Sequence, residues 1–259
     1  MLVSHVAAQY PQYAAPDMAG LSANLAQVRT NLDAFRPYLE ASLRQQHGIE
    51  LLAVYVYPAQ VLFCKKALAG LADLSGRRIR ISSNSQADFV SALGAVPVRT
   101  GFADIMQALA SDALDCVITG ASSGNTLGLH TATSYLYTMP LTWGMAIFGA
   151  NSGVWNTLPP ELRELLRREL PALEARIWRD SEHETAMGIR CNSGAPSCAG
   201  ASRGRMVVVP VSAQDERLRD EIFRSAVLPR WLQRCGAECA PLWRSTIGAA
   251  RSIALPLAP

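Results

Sequence analysis

The stretch LADLSGRRIRISSNSQADFVSALGAVPVRTGFADIMQALASDALDCVITG, Leu71 to Gly120, decides the fold. Ser75-Gly76 is a turn signal, and in Arg78 to Ser82 the alternation places Ile79 and Ile81 on one side of a strand and Arg80 on the other. Gln86 to Leu93 carries helical spacing. Ser85 and Asp88, three apart at its start, are suited to accept from free backbone N–H groups, and Gly94 supplies the stop. Val96 to Val98 returns to strand, which completes one strand–helix–strand unit. A second helix over Ala103 to Ala110 and a short strand at Cys116 to Thr119 continue the alternation, so the segment predicts a largely parallel sheet flanked by helices. The class is α/β.

Toward the N-terminus, Leu21, Leu25, Val28, Leu32 and Phe35 recur at helical spacing, and Pro37 is expected to restart a second helix carrying Leu39 and Leu43 that ends before Gly48. Ile49 to Tyr57 is an apolar, β-branched run of strand length halted by Pro58, and Val61 to Cys64 resumes it. Toward the C-terminus, Leu141 to Gly149 reads as extended. Pro159-Pro160 then opens a helix with Leu162, Leu165, Leu166 and Leu170 on one face, and Pro171 opens another over Ala172 to Gly188. Asn192 to Arg205, rich in Gly, Ser, Ala and Pro, is a loop; Met206 to Val211 is a strand and Asp215 to Arg234 a helix.

With 49% hydrophobic and 17% charged residues in 259, the chain has the material for a substantial core. A formal net charge of +3 with scattered basic residues lacks the electrostatic footprint of a nucleic-acid binder. No apolar run reaches the roughly 20 residues that cross a bilayer, and the N-terminal MLVSHVAAQYPQY lacks the basic start and apolar core of a secretory signal.

The cysteines number six. Cys191 with Cys198 and Cys235 with Cys239 fall close together in sequence; disulfides among these four, in any of three connectivities, would imply an oxidising compartment, and they are favoured over free thiols or a tetrahedral zinc site, since neither spacing is that of a zinc ribbon. Cys64 and Cys116, in apolar strand-like runs, are expected to be buried small hydrophobes. His5, His47, His130 and His183 lack metal-ligand spacing, and neither a metal nor a cofactor is expected.

The segment quoted above resembles the substrate-binding proteins of TRAP transporters, the DctP type. Shared with that family, in order, are "D-L-x-G" before a strand carrying an Arg, "A-L-G-A-x-P-V" at a helix end, a following "F-x-x-x-x-x-A-L" helix, and an acidic residue leading into a strand; GANSGVWNTLPPELRELLRREL, Gly149 to Leu170, resembles the family's "N-x-x-x-W-x-x-L-P-P-E" helix entry. The resemblance covers nearly the whole chain. It implies a two-lobed fold of the type II periplasmic-binding-protein kind, with residues 1–58 and 150–204 in the first lobe and 59–149 and 205–259 in the second. Family members carry an export signal and about two strand–helix units ahead of the point that matches Met1, so the first lobe is expected to be incomplete. The implied function is capture of a small organic carboxylate, dicarboxylates included, by a monomeric periplasmic receptor that serves TRAP membrane permease subunits and is not an enzyme.

Arg80 matches the family's carboxylate-binding arginine. Independently, it sits near the carboxyl end of a predicted parallel strand, where open α/β sheets bind ligands, and its planar fork can hold a carboxylate by two charge-assisted bonds. The bland alternative is an ion pair with a nearby acid. Phe102 matches an aromatic residue lining the family cleft, with a core role as the alternative. Thr119 falls where sialic-acid-binding members place an Asn, and their second cleft arginine falls near Ala59 to Val61, where this chain has Ala59, Gln60 and Val61, which argues against sialic acid. Tyr57, Gln60, Ser123, Asn125 and Trp143 are further polar or aromatic groups in predicted loops and strand ends, suited to orienting a small ligand.

Gly120-Ala121-Ser122-Ser123-Gly124 fits G-x-S-x-G after a strand and raises an alternative, a serine hydrolase with Ser122 as nucleophile. Against it, the glycine-rich oxyanion segment is missing, and Asp180 and His183 share one face of a predicted helix instead of bracketing a serine.

Overall fold

The computed structural model describes residues 3–198 and 202–255, with the side chains of Ser4 and His5 left aside, so the reading of His5 and of residues 199–201 in the predicted loop falls outside the described residues. In chain order the elements are α1 (Val3–Val6), a 3-10 segment Pro11–Asp17, α2 (Leu25–His47), β1 (Ile49–Val56), β2 (Gln60–Cys64), β3 (Arg78–Ile81), α3 (Asn84–Ala92), β4 (Val96–Arg99), α4 (Ile105–Ala110), β5 (Cys116–Gly120), α5 (Ala121–Thr126), β6 (Tyr135–Thr142), β7 (Met145–Asn151), α6 (Ser152–Thr157), α7 (Pro160–Ser193), β8 (Val207–Val209), α8 (Ala213–Ile222), α9 (Leu228–Cys235), α10 (Cys239–Ser245) and α11 (Ile247–Arg251).

The strands form a six-stranded sheet, β4-β3-β5-β2-β6-β8, and a separate antiparallel ribbon of β1 with β7. β3 is parallel to both β4 and β5, as the alternation predicted; β6 is parallel to β8, but β2 runs antiparallel to both of its neighbours and makes the sheet mixed. The two sheets are joined twice. Tyr57 to Ala59 carries the chain from β1 into β2, and Trp143-Gly144 carries it from β6 into β7, with Gly144 in the left-handed region at φ +80°. The predicted extended segment Leu141 to Gly149 is thus extended in β6 and in β7, but a turn at Trp143-Gly144 divides it between two strands. A Tyr57 N–H bond to the Gly144 carbonyl at 3.0 Å ties the two crossings together.

Both predicted helix breaks at proline are absent. Pro37 lies inside α2 and Pro171 inside the 34-residue α7. Each proline is exposed, so the carbonyl it leaves unbonded one turn earlier faces water, which lessens the penalty that a buried proline would impose. The N-cap of α3 is Ser83, whose hydroxyl accepts from Gln86 N–H at 3.2 Å; the predicted partner Asp88 instead forms a two-point ion pair with Arg234. α2 ends as expected at Gly48, left-handed at φ +60°.

One face of the large sheet (Ile79, Ile81, Cys116, Ile118, Tyr137) packs into a core that also takes in Phe35 of α2, Val54 of β1, and Trp231 and Trp243 of the C-terminal helices. The other face (Val61, Phe63, Val117, Leu136) packs a smaller core with Ile105 and Leu109 of α4 and Ala121 of α5.

All six cysteines are paired, as Cys191–Cys198, Cys235–Cys239 and Cys64–Cys116. The first two show the favoured disulfides and settle a connectivity that the spacing left open. The third corrects the expectation of two buried thiols: β2 and β5 are neighbours in which Cys64 and Cys116 stand directly opposite, a juxtaposition that only strand order creates.

Candidate functional site

β3, β4 and β5 run parallel and end together, and an open hollow of about 470 Å³ lies against those carboxyl ends. Its lining includes Tyr57, Gln60, Arg80, Arg99, Phe102, Thr119, Ser123 and Gly144. Six of the eight predicted binding residues, Tyr57, Gln60, Arg80, Phe102, Thr119 and Ser123, are thus brought together.

Arg80 is only 6% exposed and makes no ion pair among the described residues. Its Nε donates to the Thr100 carbonyl at 3.0 Å and its Nη1 to the Ile118 carbonyl at 2.8 Å. Two carbonyls from the neighbouring segments therefore lock the plane of the guanidinium while leaving its charge uncompensated by any carboxylate. Burial, helped by the nearby charge of Arg99, pulls its pKa down to about 10, so the group is still protonated at neutral pH. The ion pair offered above as the bland role of Arg80 is not formed.

Gln60 is oriented by a relay that starts at the backbone. The Ser82 N–H donates to Gln86 Oε1 at 2.8 Å, which turns the Gln86 amide nitrogen outward as a donor. That Nε2 donates to Thr142 Oγ1 at 2.9 Å and to Gln60 Oε1 at 3.0 Å. With its oxygen engaged, Gln60 has its own amide N–H groups left as donors. An amide presented in this sense complements a carboxylate. Sequence reading missed Gln86, because nothing in its helix-start position announces a side-chain role beyond α3.

Phe102 is 47% exposed and Tyr57 41%, so both rings form hollow wall and neither is core. Thr119, at the end of β5, is buried beneath the hollow. The other two predicted residues are placed elsewhere. Asn125 is buried in α5, donating to Asn192 Oδ1 at 3.2 Å and to the Ser202 carbonyl at 2.8 Å, where it fastens the loop after α7. Trp143 is a core side chain whose backbone N–H donates to Asp17 Oδ1 at 2.9 Å. Both were read as loop or strand-end groups; a helix claims the first and the crossing turn folds the second inward.

Arg99 is the residue that sequence reading overlooked. It ends β4 and lines the hollow, donating from Nη2 to Asn84 Oδ1 at 2.6 Å. The rule that pointed to Arg80, the carboxyl end of a parallel strand, points equally to Arg99 once β4 is known to lie beside β3. No Asp or Glu lines the hollow, so its fixed charge is positive. Among the described residues no cluster of three His, Cys, Asp or Glu is placed to hold a metal ion.

The serine-hydrolase alternative finds no support. The Ser122 hydroxyl donates to the Glu184 carbonyl at 3.1 Å, which occupies its proton. Of the motif's glycines, Gly124 has a packing cause, since a Cβ there would meet the Phe63 ring; α7 in turn comes close to the backbone of Ala121 and Ser122 through Gly188.

No match is found among curated proteins. Among solved structures, the chain resembles DctP7, a Bordetella pertussis extracytoplasmic solute receptor binding pyroglutamic acid, with 24% identity over 95% of this chain and 78% of that one and a TM-score of 0.81. A TRAP periplasmic solute-binding protein from Desulfovibrio salexigens with bound orotic acid is 16% identical, covered over 97% of this chain and 78% of that one, with a TM-score of 0.84. Another, from Rhodoferax ferrireducens with bound malonate, is 18% identical over 97% and 78%, with a TM-score of 0.80. At these identities the likeness establishes the fold, the two-lobed periplasmic-binding-protein type. The sequence itself matches the model of "Bacterial extracellular solute-binding protein, family 7", DctP, over residues 5–187. Members of that family are extracytoplasmic transport receptors that bind small ligands and work with membrane permease subunits, and the chain belongs to it.

Proposed function

We propose that the hollow at the ends of β3, β4 and β5 captures a small organic carboxylate, with Arg80 as its principal anchor, and that the chain is a periplasmic, monomeric receptor without catalytic activity delivering that ligand to TRAP permease subunits. The observation that carries the reading is the Arg80 guanidinium, buried, oriented by two carbonyls and lacking an acidic partner. A buried cation without a counter-ion is costly, and a ligand carboxylate accepting two charge-assisted bonds would offset that cost. Tyr57 and Phe102 would pack the carbon skeleton, while Gln60, Thr119 and Ser123 would satisfy its polar groups. The lobes are proposed to be residues 1–58 with 150–204, and 59–149 with 205–259, closing about the connections between them, that at Tyr57 to Ala59 included.

A thermal-shift screen of organic acids, pyroglutamate, orotate and malonate among them, tests this. The expected result is stabilisation by at least one acid that is lost in Arg80→Ala, together with a more compact scattering profile at saturation. An acid that stabilises wild type and Arg80→Ala equally would remove the anchor from the reading, and no response to any acid would remove the function.

A further inference from the structure

We infer that the protein takes up a proton together with its acid, and that the Asp17 carboxylate, which ties the turn beside the hollow, is the group that receives it. The inference rests on the carboxylate reading above and adds to it a second, smaller partner and the residue that binds it.

A second cavity, of about 60 Å³, lies between the 3-10 segment Pro11–Asp17, the start of α3 and α9, with Tyr13, Asp17, Ser85 and Arg234 among its lining residues. Gln60, Ser82, Arg99 and Gly144 line both this cavity and the 470 Å³ hollow, so the two spaces share a wall. Asp17 therefore stands one wall away from the place assigned to the ligand. Its two oxygens accept the N–H groups of Trp143 and Gly144, at 2.9 and 2.6 Å, and no side chain among the described residues donates to it. A carboxylate satisfied only by backbone dipoles has no full positive charge bound to its own.

The ionisable groups around it are few. On its own segment Tyr13 has its hydroxyl engaged with Ser42 and His47. α9 brings Arg234, whose charge is met by Asp88, and β4 brings Arg99. Val3, Ala7, Ala8, the stretch Ser82 to Gln86 and the turn itself bring none. Among the described residues Arg99 is thus the cation without an acidic partner that faces both spaces.

Charge sets the direction of the coupling. Removal of Asp17 from water, only partly countered by its two N–H bonds, places its pKa at about 7, so the group is poised between its two forms at neutral pH. An acid entering the hollow adds a negative charge across the shared wall and offsets the Arg99 charge that favoured the ionised form. Both effects disfavour the Asp17 anion, and it responds by taking a proton. Arg80 cannot supply this coupling, because it is already protonated at neutral pH. The turn survives the change. A neutral carboxyl group keeps one oxygen as an acceptor, and the bonds from Tyr57 N–H to the Gly144 carbonyl and from Gly20 N–H to the Leu141 carbonyl, each 3.0 Å, hold the same stretch whatever the charge on Asp17. By reciprocity, a ligand that raises the affinity for a proton is itself bound more tightly where protons are plentiful, so capture strengthens as pH falls from 8 to 6.

Calorimetric titration with pyroglutamate, orotate and lactate, three acids whose carboxyl groups stay ionised from pH 6 to 8, tests this in buffers of different ionisation enthalpy, which count the protons exchanged on binding. Wild type is expected to take up about 0.3 proton per ligand at pH 7 and to bind about threefold more tightly at pH 6 than at pH 8. Asp17→Asn, a permanently neutral counterpart, should bind without proton uptake and with an affinity that is flat across this range. Asp17→Ser gives the same readout should the amide disturb the turn. His47→Gln should leave the uptake as it is, which separates Asp17 from the histidine bonded to Tyr13. Binding without proton uptake in wild type, uptake that persists in the Asp17 variants, or uptake that disappears in His47→Gln overturns the role of Asp17 while the carboxylate reading stands. No binding of any of the three acids overturns both.

Discussion

Glu174 Oε2 accepts the Val54 backbone N–H at 2.8 Å, across the contact between α7 and β1. One turn further along α7, Trp178 Nε1 donates to the carbonyl of the same Val54 at 2.9 Å. The long helix thus satisfies both backbone groups of one strand residue through side chains, as another strand otherwise would. Glu174 is buried and its Oε1 is ion-paired with Arg36 of α2, so a single carboxylate joins three elements. Glu174→Ala leaves the Val54 N–H and the Arg36 guanidinium without their partner and should cost about 3 kcal/mol in urea unfolding. Glu174→Gln, which retains the acceptor for Val54, should cost about half as much.

Asp17 predicts a pH dependence. Its carboxylate accepts the N–H groups of Trp143 and Gly144, at 2.9 and 2.6 Å, fixing the crossing turn that borders the hollow. Burial, only partly countered by these two bonds, raises its pKa from 3.8 to about 7. The folded state therefore holds this proton more tightly than the unfolded state. The stability linked to it is fully present below about pH 4 and is lost as pH rises through 7, an effect on the order of a few kcal/mol. Asp17→Asn should flatten this component. Measured from pH 4 to 8, wild type minus variant stability should decline steadily, whereas a constant difference would show that Asp17 does not titrate in this window.

The disulfides should contribute unequally. Cys64–Cys116 closes a separation of 52 residues and Cys191–Cys198 one of 7. In the chain-entropy account these correspond to about 4 and about 2 kcal/mol. Cys64→Ala with Cys116→Ala should accordingly lower the urea midpoint more than the matching pair at Cys191 and Cys198. Equal losses would mean that local packing, and not loop closure, sets the contribution.

The strand–helix alternation from Leu71 to Gly120 was legible because each element carries its own signal: a two-residue period in β3, helical spacing in α3, and glycine at a stop, although the cap of α3 proved to be Ser83 and not Ser85 or Asp88. What was not legible depends on neighbours. That Cys64 faces Cys116, and that Arg99 shares the hollow with Arg80, follow from strand order, which a local pattern does not contain. The predicted helix face of Leu162, Leu165, Leu166 and Leu170 shows the converse. The spacing is helical, yet only Leu170 is buried, while Leu162 and Leu165 are exposed. Periodicity reports a face able to pack; whether it is covered depends on what lies opposite.

The relay through Gln86 yields the most specific prediction about the site. Gln86 touches Gln60 and Thr142, and it does not line the 470 Å³ hollow. It should act on ligand only by holding Gln60 with its N–H groups outward. Gln86→Met removes that constraint, leaves Gln60 free to turn its carbonyl oxygen toward a bound carboxylate, and should weaken binding of whichever acid the wild type takes by about tenfold. Gln60→Ala should produce a loss of similar size by removing the amide itself. If the action of Gln86 runs through Gln60, adding Gln86→Met to Gln60→Ala should cost almost nothing further, a coupling that a double-mutant cycle reads directly. Additive losses would mean that Gln86 acts through its bond to Ser82 or Thr142, and that the orientation of Gln60 is set by other contacts.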